Sequence, residues 1–337
     1  MLPPLQTVEV HHSSDVGEAR RAARTIADTL GFALQACEEI AIAMTELATN
    51  LIKHAHGGKL ILTPLTAGGR KGLEIKSEDN GPGIADVERA IGDRFSTAGT
   101  LGTGLGAVNR LMDELEIDSH RGSGTRIVCR KWLRVLRPSL RPCPLAFGVA
   151  TRPRPSCDLN GDAFVVAKWS ESALVGLIDG LGHGQFAHRA ALSARNYVEG
   201  HYDLPLDQIF LGTGRACRTT RGVVMALARF DWGEGRLVFA SIGNIEARVF
   251  PKASPFRFII RRGVIGLNAP RPVAVENPWP FDHVLVLHSD GISTHWDWKD
   301  LQDWENRPAS EIANELLKRN AKESDDATVI VVRSVVP

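Results

Sequence analysis

Asp79-Asn-Gly-Pro-Gly-Ile84, followed downstream by Gly102-Thr-Gly-Leu-Gly106, is the stretch that decides how the first half of this chain folds. The run at 72–77 before it alternates as a strand, so Asp79 sits at a strand's mouth. A carboxylate there can accept a hydrogen bond from an exocyclic amine. Gly81 and Gly83 carry no side chain, so the backbone can approach a flat ring. Gly102, Gly104 and Gly106 open a helix read over 105–113, whose free N–H groups and positive dipole end suit phosphates. A lone glycine loop serves many turns; the ordered set carries the argument.

Working outward, the segment 34–55 reads as a helix. Cys37, Ile40, Ala41, Met44, Leu47, Ala48 and Leu51 repeat at the three-and-four spacing of a buried face. Glu46 and Asn50 lie one turn apart on its less apolar side. An amide oxygen at Asn50 suits Mg²⁺, and Glu46 can take a proton from an attacking hydroxyl. As a pair alone, an exposed Glu and Asn on a helix are ordinarily just solvated. A strand at 5–10, then Ser13, Ser14 and Asp15 as N-caps of a helix ended by Gly31, precede it. Strands at 59–65 and 72–77 flank the turn Ala67-Gly-Gly-Arg70. Strands at 115–119 and 125–135 meet at Gly122-Ser-Gly124.

The second half has a different signature. Asp162 in Gly161-Asp-Ala163, Asp179 in Ile178-Asp-Gly-Leu-Gly-His-Gly184, Asp290 in Ser289-Asp-Gly291 and Asp325 in Ser324-Asp-Asp-Ala327 each border an apolar run that reads as a strand. Any one Asp-Gly is a turn. Four carboxylates at strand mouths are what a hard divalent cation needs. Two cations bridged by carboxylates can activate a water against a phosphoryl group, with no protein nucleophile. Ser289 and Ser324 read as turn residues, and His183 as a proton donor, an outer contact or a plain loop residue. Strands are expected at 145–151, 163–169, 173–178, 222–231, 236–241, 247–250, 283–288 and 327–333, with helices at 185–199, 206–217 and 310–321.

The bulk numbers bound these readings. At 337 residues, 43% apolar and 23% charged, the chain is long for one domain and can bury a core. A net charge of +1 gives no field to gather nucleic acid or membrane. Arg130, Lys131, Arg134, Arg137 and Arg141 form a basic run read as a solvated strand and tether. Arg137-Pro-Ser-Leu-Arg-Pro-Cys-Pro144 breaks regular structure with three prolines. The domains are therefore expected at 1–137 and 145–337, with a linker at 138–144. The five cysteines are widely spaced and odd in number, without Cys-x-x-Cys, which fits a reducing compartment. No signal peptide or spanning segment is read, so the expected location is cytoplasmic.

Residues 5–135 resemble the GHKL ATPase superfamily, and most closely its anti-sigma-factor and stressosome serine/threonine kinase branch. Thr45-Glu-Leu-Ala-Thr-Asn-Leu-Ile-Lys-His-Ala55 is similar to that branch's N-box, Asp79–Ile84 to its G1 box and 102–106 to its G2 box. Arg110-Leu-Met-Asp-Glu114 and Gly124-Thr125 continue the likeness. The resemblance implies Glu46 as general base, Asn50 as Mg²⁺ ligand, Asp79 as adenine reader and Thr125 as a further contact on the adenine side. ATP would lie against Gly81, Gly83, Gly102, Gly104 and Gly106. No phosphoacceptor histidine box precedes these motifs, and His54 reads as a packing or lid residue rather than a phosphate carrier.

Residues 145–335 resemble the PP2C-like metal-dependent phosphatases of the SpoIIE branch, in their compact stressosome-feedback form. Gly161-Asp162, Asp179-Gly180, Ser289-Asp290-Gly291 and Asp325-Asp326 stand at that family's ligand positions, and Ser241-Ile-Gly-Asn244 is also similar. This implies Asp179 as bridging ligand of two Mg²⁺ or Mn²⁺ ions, with the Gly180 carbonyl, Asp162, Asp290 and Asp325 as further ligands. Asp326 stands where many relatives have asparagine, and no counterpart of the eukaryotic phosphate-binding arginine is evident. The implied fold is α+β in two domains: a GHKL (Bergerat) α/β sandwich, then a PP2C-like αββα sandwich. The implied function is a bifunctional regulator of a bacterial partner-switching pathway, kinase and phosphatase for phosphoserine or phosphothreonine on STAS-domain proteins. A downstream regulator is a further partner; nucleic acid and membrane are not. The alternative is a phosphatase alone, with the ATP module as nucleotide sensor or as a sequestering, anti-sigma-like module.

Overall fold

Strand β1 (Gln6–Val10) leads into helix α1 (Ser13–Leu30), and α2 (Leu34–Ala55) follows after a short turn. The computed structural model describes residues 2–67, 70–85, 87, 90, 104–133, 141–155, 157–250, 256–297, 299 and 307–335. It divides into two compact units, Met1–Val135 and Leu136–Pro337.

In the first unit a five-stranded antiparallel sheet runs β1, β2 (Gly58–Ala67), β3 (Arg70–Asp79), β5 (Thr125–Trp132), β4 (Glu114–Ser119). Period-two alternation sends Leu73, Ile75 and Ser77 of β3 inward, leaving Glu74, Lys76 and Glu78 on the more open face. The inward set packs on the apolar stripe of α2, where Ile40, Met44, Leu47 and Leu51 are buried as their spacing requires. Helix α3 (Gly104–Leu111) closes the same core with Leu105 and Val108. The start of α1 departs from the expected serine cap. His12 is the N-cap, and the Asp15 carboxylate accepts from the His11 and His12 amides at 2.9 and 2.8 Å. His54 is exposed, so it is not a packing residue.

The second unit is two sheets face to face with helices outside. One sheet runs β12 (Ile260–Arg261), β10 (Arg236–Ile242), β9 (Val223–Asp231), β8 (Ser172–Gly180), β7 (Asp162–Trp169), with β13 (Val275–Pro278) also on β10. The other runs β11 (Glu246–Phe250), β14 (Val284–His288), β15 (Ala327–Ser334), β6 (Leu145–Arg152). Val175, Leu177, Phe230 and Phe239 meet Leu285, Leu287, Ile330 and Val332 between them. Helix α6 (Ala309–Asn320) covers the outer face of the second sheet through Ile312, Ala313 and Leu316. Helices α4 (Gln185–His201) and α5 (Leu206–Ala216) lie on the first sheet's side. Burial from both faces explains why β8 and β14 read as continuous apolar runs rather than alternating ones. The short strands β12 and β13 were not expected from the sequence; both form by docking on the edge of β10.

Candidate active sites

In the first unit, β3 delivers Asp79 to the sheet end nearest the close of α2. Its Oδ1 accepts from the Gly81 amide at 2.8 Å and the Thr125 amide at 3.1 Å. Ser119 ties the neighbouring strands together: its Oγ lies 2.8 Å from Thr125 Oγ1 and accepts from the Ile84 amide at 2.8 Å. The glycines around Asp79 are fixed by close approach. Gly124 has φ +78°, and a Cβ there would lie 2.0 Å from the Asp79 carbonyl oxygen. Gly83 has φ +73°, and a Cβ would lie 2.2 Å from the His120 oxygen. At Gly81 a Cβ would press on Ala55 of α2 at 2.8 Å. The Asp79 turn is thus clamped between α2 and the sheet.

Glu46 and Asn50 are half-buried on α2. The first residue of α3, Gly104, faces Asn50: a Cβ on it would lie 3.6 Å from Asn50 Oδ1. The α3 N-terminus has no acidic residue in its first turn, which leaves its dipole uncompensated. Gly106 is buried inside that helix, and Gly102 lies outside the described residues. Asp113 is structural: it is buried and accepts from the Trp132 amide at 2.7 Å. A cavity of about 720 Å³ opens beside Asp79, Gly124 and Thr125 and extends toward His11 and His56; it takes in neither Glu46 nor Asn50.

In the second unit, strand register places the carboxylates. Asp162 and Asp179 are direct partners across β7 and β8, so their side chains share one face. Asp290 follows β14 and Asp325–Asp326 precede β15, bringing the second sheet's acids to the same end. Ser289 joins the two sheets. It is 1% exposed, donates to Asp162 Oδ2 at 2.7 Å and accepts from the Thr328 amide at 3.0 Å. The reading of Ser289 as a mere turn residue is therefore corrected: its hydroxyl orients a candidate ligand. Asn244, after β10, donates to Asp290 Oδ2 at 2.9 Å. His183 is exposed and close enough to Asp325 to favour its charged form.

Each Gly beside an Asp has a steric cause. A Cβ at Gly180 would lie 2.1 Å from the Ala187 carbonyl oxygen of α4, and one at Gly291 would lie 1.8 Å from that of Asp326. At Gly161 it would meet Asp326 Oδ2 at 2.7 Å. Asp326 is 3% exposed; its Oδ1 accepts from the Arg154 amide at 2.9 Å, while Oδ2 is buried without a hydrogen-bond partner. An orphaned buried carboxylate oxygen costs free energy unless a cation or donor meets it.

The electrostatics agree. Burial first, then the charges of Asp162, Asp290, Asp325 and Asp326, push Asp179 up to about 9. Burial raises Asp162 to about 7 against the lowering hydrogen bonds from Ser289 and Thr328. Asp325 is raised by burial and by Asp290. Among the described residues no three Asp, Glu, His or Cys side chains already close on one point. The carboxylates instead ring a common space and repel one another across it. An all-oxygen set that carries excess negative charge and an unsatisfied oxygen fits hard divalent cations such as Mg²⁺ or Mn²⁺.

Comparison with known proteins is consistent with both halves. Residues 11–131 match the histidine kinase-like ATPase domain family. Over 120 residues the chain is 43% identical to the serine/threonine-protein kinase RsbT of Bacillus subtilis (strain 168), covering 36% of this chain and 90% of that protein. It is 31% identical over 120 residues to the anti-sigma F factor of Thermoanaerobacter sp. (strain X514), covering 34% of this chain and 83% of that protein. A solved structure from work on the bacterial stressosome, as a modular system adapted to control secondary messenger signalling, superposes with a TM-score of 0.54 at 29% identity. It covers 56% of this chain and 99% of its own. The structure of RsbX in complex with magnesium superposes with a TM-score of 0.51 at 16% identity, covering 66% of this chain and all of that one. Both shares exceed what the first unit holds, so these likenesses reach into the second and support its PP2C-like fold.

Proposed function

The chain belongs, through its first unit, to the histidine kinase-like ATPase family, and from that premise we propose a bifunctional regulator that adds phosphate to a protein serine or threonine with one unit and removes it with the other. The observation that carries the second activity is the ring of Asp162, Asp179, Asp290, Asp325 and Asp326 at one end of the paired sheets, with an orphaned carboxylate oxygen inside it. The domain assignment is 1–137 for the ATP unit, 138–144 for the linker and 145–337 for the phosphatase.

In the first unit Asp79 reads the adenine amine, its Oδ1 already oriented by the Gly81 and Thr125 amides. Thr125 lies on the adenine side. Gly81 and Gly83 let the backbone approach the ring, while Gly102, Gly104 and Gly106 lead into the helix end that meets the phosphates. Asn50 holds the nucleotide's Mg²⁺, and Glu46, one turn away, takes the proton of the partner's hydroxyl as its oxygen attacks.

In the second unit Asp179 bridges two cations, with Asp162, Asp290, Asp325 and the Gly180 carbonyl holding them from either side. Asp326 supplies charge from the buried wall. Such cations, Mg²⁺ or Mn²⁺, supply an activated water and a clamp on the phosphoryl oxygens. Ser289 and Asn244 hold Asp162 and Asp290 in place. We assign STAS-domain proteins of a partner-switching pathway as substrates of both units, with a downstream regulator as a further partner, and the cytoplasm as location. No described helix is long and apolar enough to cross a membrane.

The test is hydrolysis of a phosphorylated STAS-domain protein by the full chain with Mn²⁺. Asp179→Asn and Asp290→Asn should each lower the rate at least about 100-fold, a loss of the order that one strong electrostatic contribution to a transition state represents. Activity that survives chelation of the metal, or either variant matching the parent, refutes the two-metal reading. The likeness to an anti-sigma factor favours one second reading, in which the first unit binds ATP and sequesters a regulator without transferring phosphate.

A further inference from the structure

We propose that Arg221 is the phosphate-orienting residue of the second unit's site. This rests on the phosphatase reading above, which names the metal ligands but leaves the incoming phosphate without a cationic side chain.

The placement follows from strand register. In the β8–β9 ladder Asp179 pairs with Val224 and Gly180 with Val223. The ladder extends one step further, because the Leu181 amide donates to the Gly222 carbonyl at 3.1 Å. One more step brings Arg221 opposite Gly182, in the turn that leaves the candidate ligands Asp179 and Gly180. The side chain bears this out: a Cβ built on Gly182 would lie 3.1 Å from Arg221 Nη1. Thus the guanidinium rests against the 181–184 turn.

The backbone beneath it is rigid. Thr220 Oγ1 donates to the Cys217 carbonyl at 2.7 Å and accepts from the Gly222 amide at 3.0 Å. Gly222 has φ +80°, and a Cβ there would lie 2.7 Å from the Ile265 carbonyl oxygen, so only glycine fits. The guanidinium stacks on the Phe186 ring, 4.7 Å from its centroid. Phe186 is 59% exposed on the first turn of α4. A large apolar ring left in water and capped by an arginine is what pre-orients a planar fork for a phosphate.

Arg221 also differs from the paired arginines of this unit. Arg195 meets Glu199 at 2.7 Å, Arg307 meets Glu311 at 3.5 Å, and Arg236 meets Asp231, Glu234 and Glu276. Among the described residues Arg221 has no carboxylate partner, although an acidic cluster lies at the same sheet end. Its hydrogen-bonding edge therefore remains available to an anion. A phosphate monoester dianion entering a site walled by carboxylates needs such a counter-charge, and arginine binds phosphate oxygens two at a time.

The experiment uses the full chain loaded with Mg²⁺ and compares wild type with Arg221→Gln and Arg221→Lys. Two readouts are taken: calorimetric titration with inorganic phosphate, and KM and kcat for a phosphorylated STAS-domain protein with Mn²⁺. Arg221→Gln should weaken phosphate binding and raise KM by about tenfold or more, the loss of a charge-assisted bidentate contact. Arg221→Lys should recover part of both, and thermal unfolding should be unchanged, since the guanidinium holds no other element. Equal phosphate affinity and equal KM in Arg221→Gln and wild type would overturn the assignment. If wild type releases no phosphate at all, the phosphatase reading fails, and the phosphate titration still decides the role of Arg221.

Discussion

Replacing Ser289 by alanine tests how the second site is built. The hydroxyl makes two hydrogen bonds, one to the Asp162 carboxylate at 2.7 Å and one from the Thr328 amide at 3.0 Å. Losing a hydrogen bond to a charged group costs about 1.5–3 kcal/mol, and stranding a buried amide about 1–3 kcal/mol. Both losses share one hydroxyl, so roughly 2–4 kcal/mol is expected in total. For a unit of this size each kcal/mol lowers the melting temperature by about 2–4 °C, giving a drop of roughly 5–15 °C. Thermal unfolding of the full chain, followed by calorimetry, reads this in the transition of the second unit. Ser324→Ala is the control, because that serine is exposed and should leave the melting temperature unchanged. Losing a donor that favours the charged form also raises Asp162 further. Mn²⁺ should therefore bind Ser289→Ala more weakly near neutral pH. A variant that melts with wild type and binds Mn²⁺ equally would refute the claim that Ser289 couples the sheets and orients Asp162.

Three further outcomes are expected. Asp79→Asn should weaken ATP binding by the isolated step of nucleotide titration roughly tenfold or more, since an amide NH₂ can point where the carboxylate accepted; unchanged affinity would remove Asp79 from the adenine site. Glu46→Ala, in an Asp179→Asn background that cannot erase the product, should keep ATP affinity but lose phosphotransfer, while Asn50→Ala loses both; equal transfer by Glu46→Ala and its parent would favour the nucleotide-sensor reading. Asp162 and Asp179 have raised folded values of about 7 and about 9, so the metal-free folded state retains protons that the unfolded chain has released. Their contribution to stability is therefore fullest near pH 4 and is lost as pH rises toward about 9. Metal-free protein should melt lower at about pH 8.5 than at about pH 6, and Mg²⁺ should raise the melting temperature more at the higher pH; the reverse order would show that these carboxylates do not face one another.

What could be read from the sequence divides along physical lines. The α2 stripe, the Asp-Gly turns and the glycine of each turn were legible because local sterics write them: Gly180 and Gly291 leave no room for a Cβ, whatever else the chain does. The Asp162–Asp179 pairing was legible only as two acids at strand mouths; their direct opposition needed the register of β7 on β8. Ser289 and Asn244 carried weak signals because a hydroxyl or an amide acquires its role from a strand distant in sequence. Arg221 carried none, since its significance rests on a ladder extended past Gly180 and on a ring in α4. Strands β12 and β13 escaped for a similar reason: four residues or fewer hold strand geometry only when an edge such as β10 offers its hydrogen bonds. The cap of α1 went to His12 because the Asp15 carboxylate bonds back to the preceding amides, an arrangement that a preference for serine caps does not anticipate.

The central claim is that one chain carries opposing phosphoryl chemistry on the same protein partner. It is tested most directly by intact-mass measurement of a STAS-domain protein carried through two steps. The protein is incubated with the Asp179→Asn chain and Mg²⁺–ATP, then freed of nucleotide and given the Glu46→Ala chain with Mn²⁺. The account expects the mass of one phosphate to appear in the first step and to vanish in the second. A partner that never gains the phosphate would contradict the kinase half, and one that gains it but keeps it would contradict the phosphatase half.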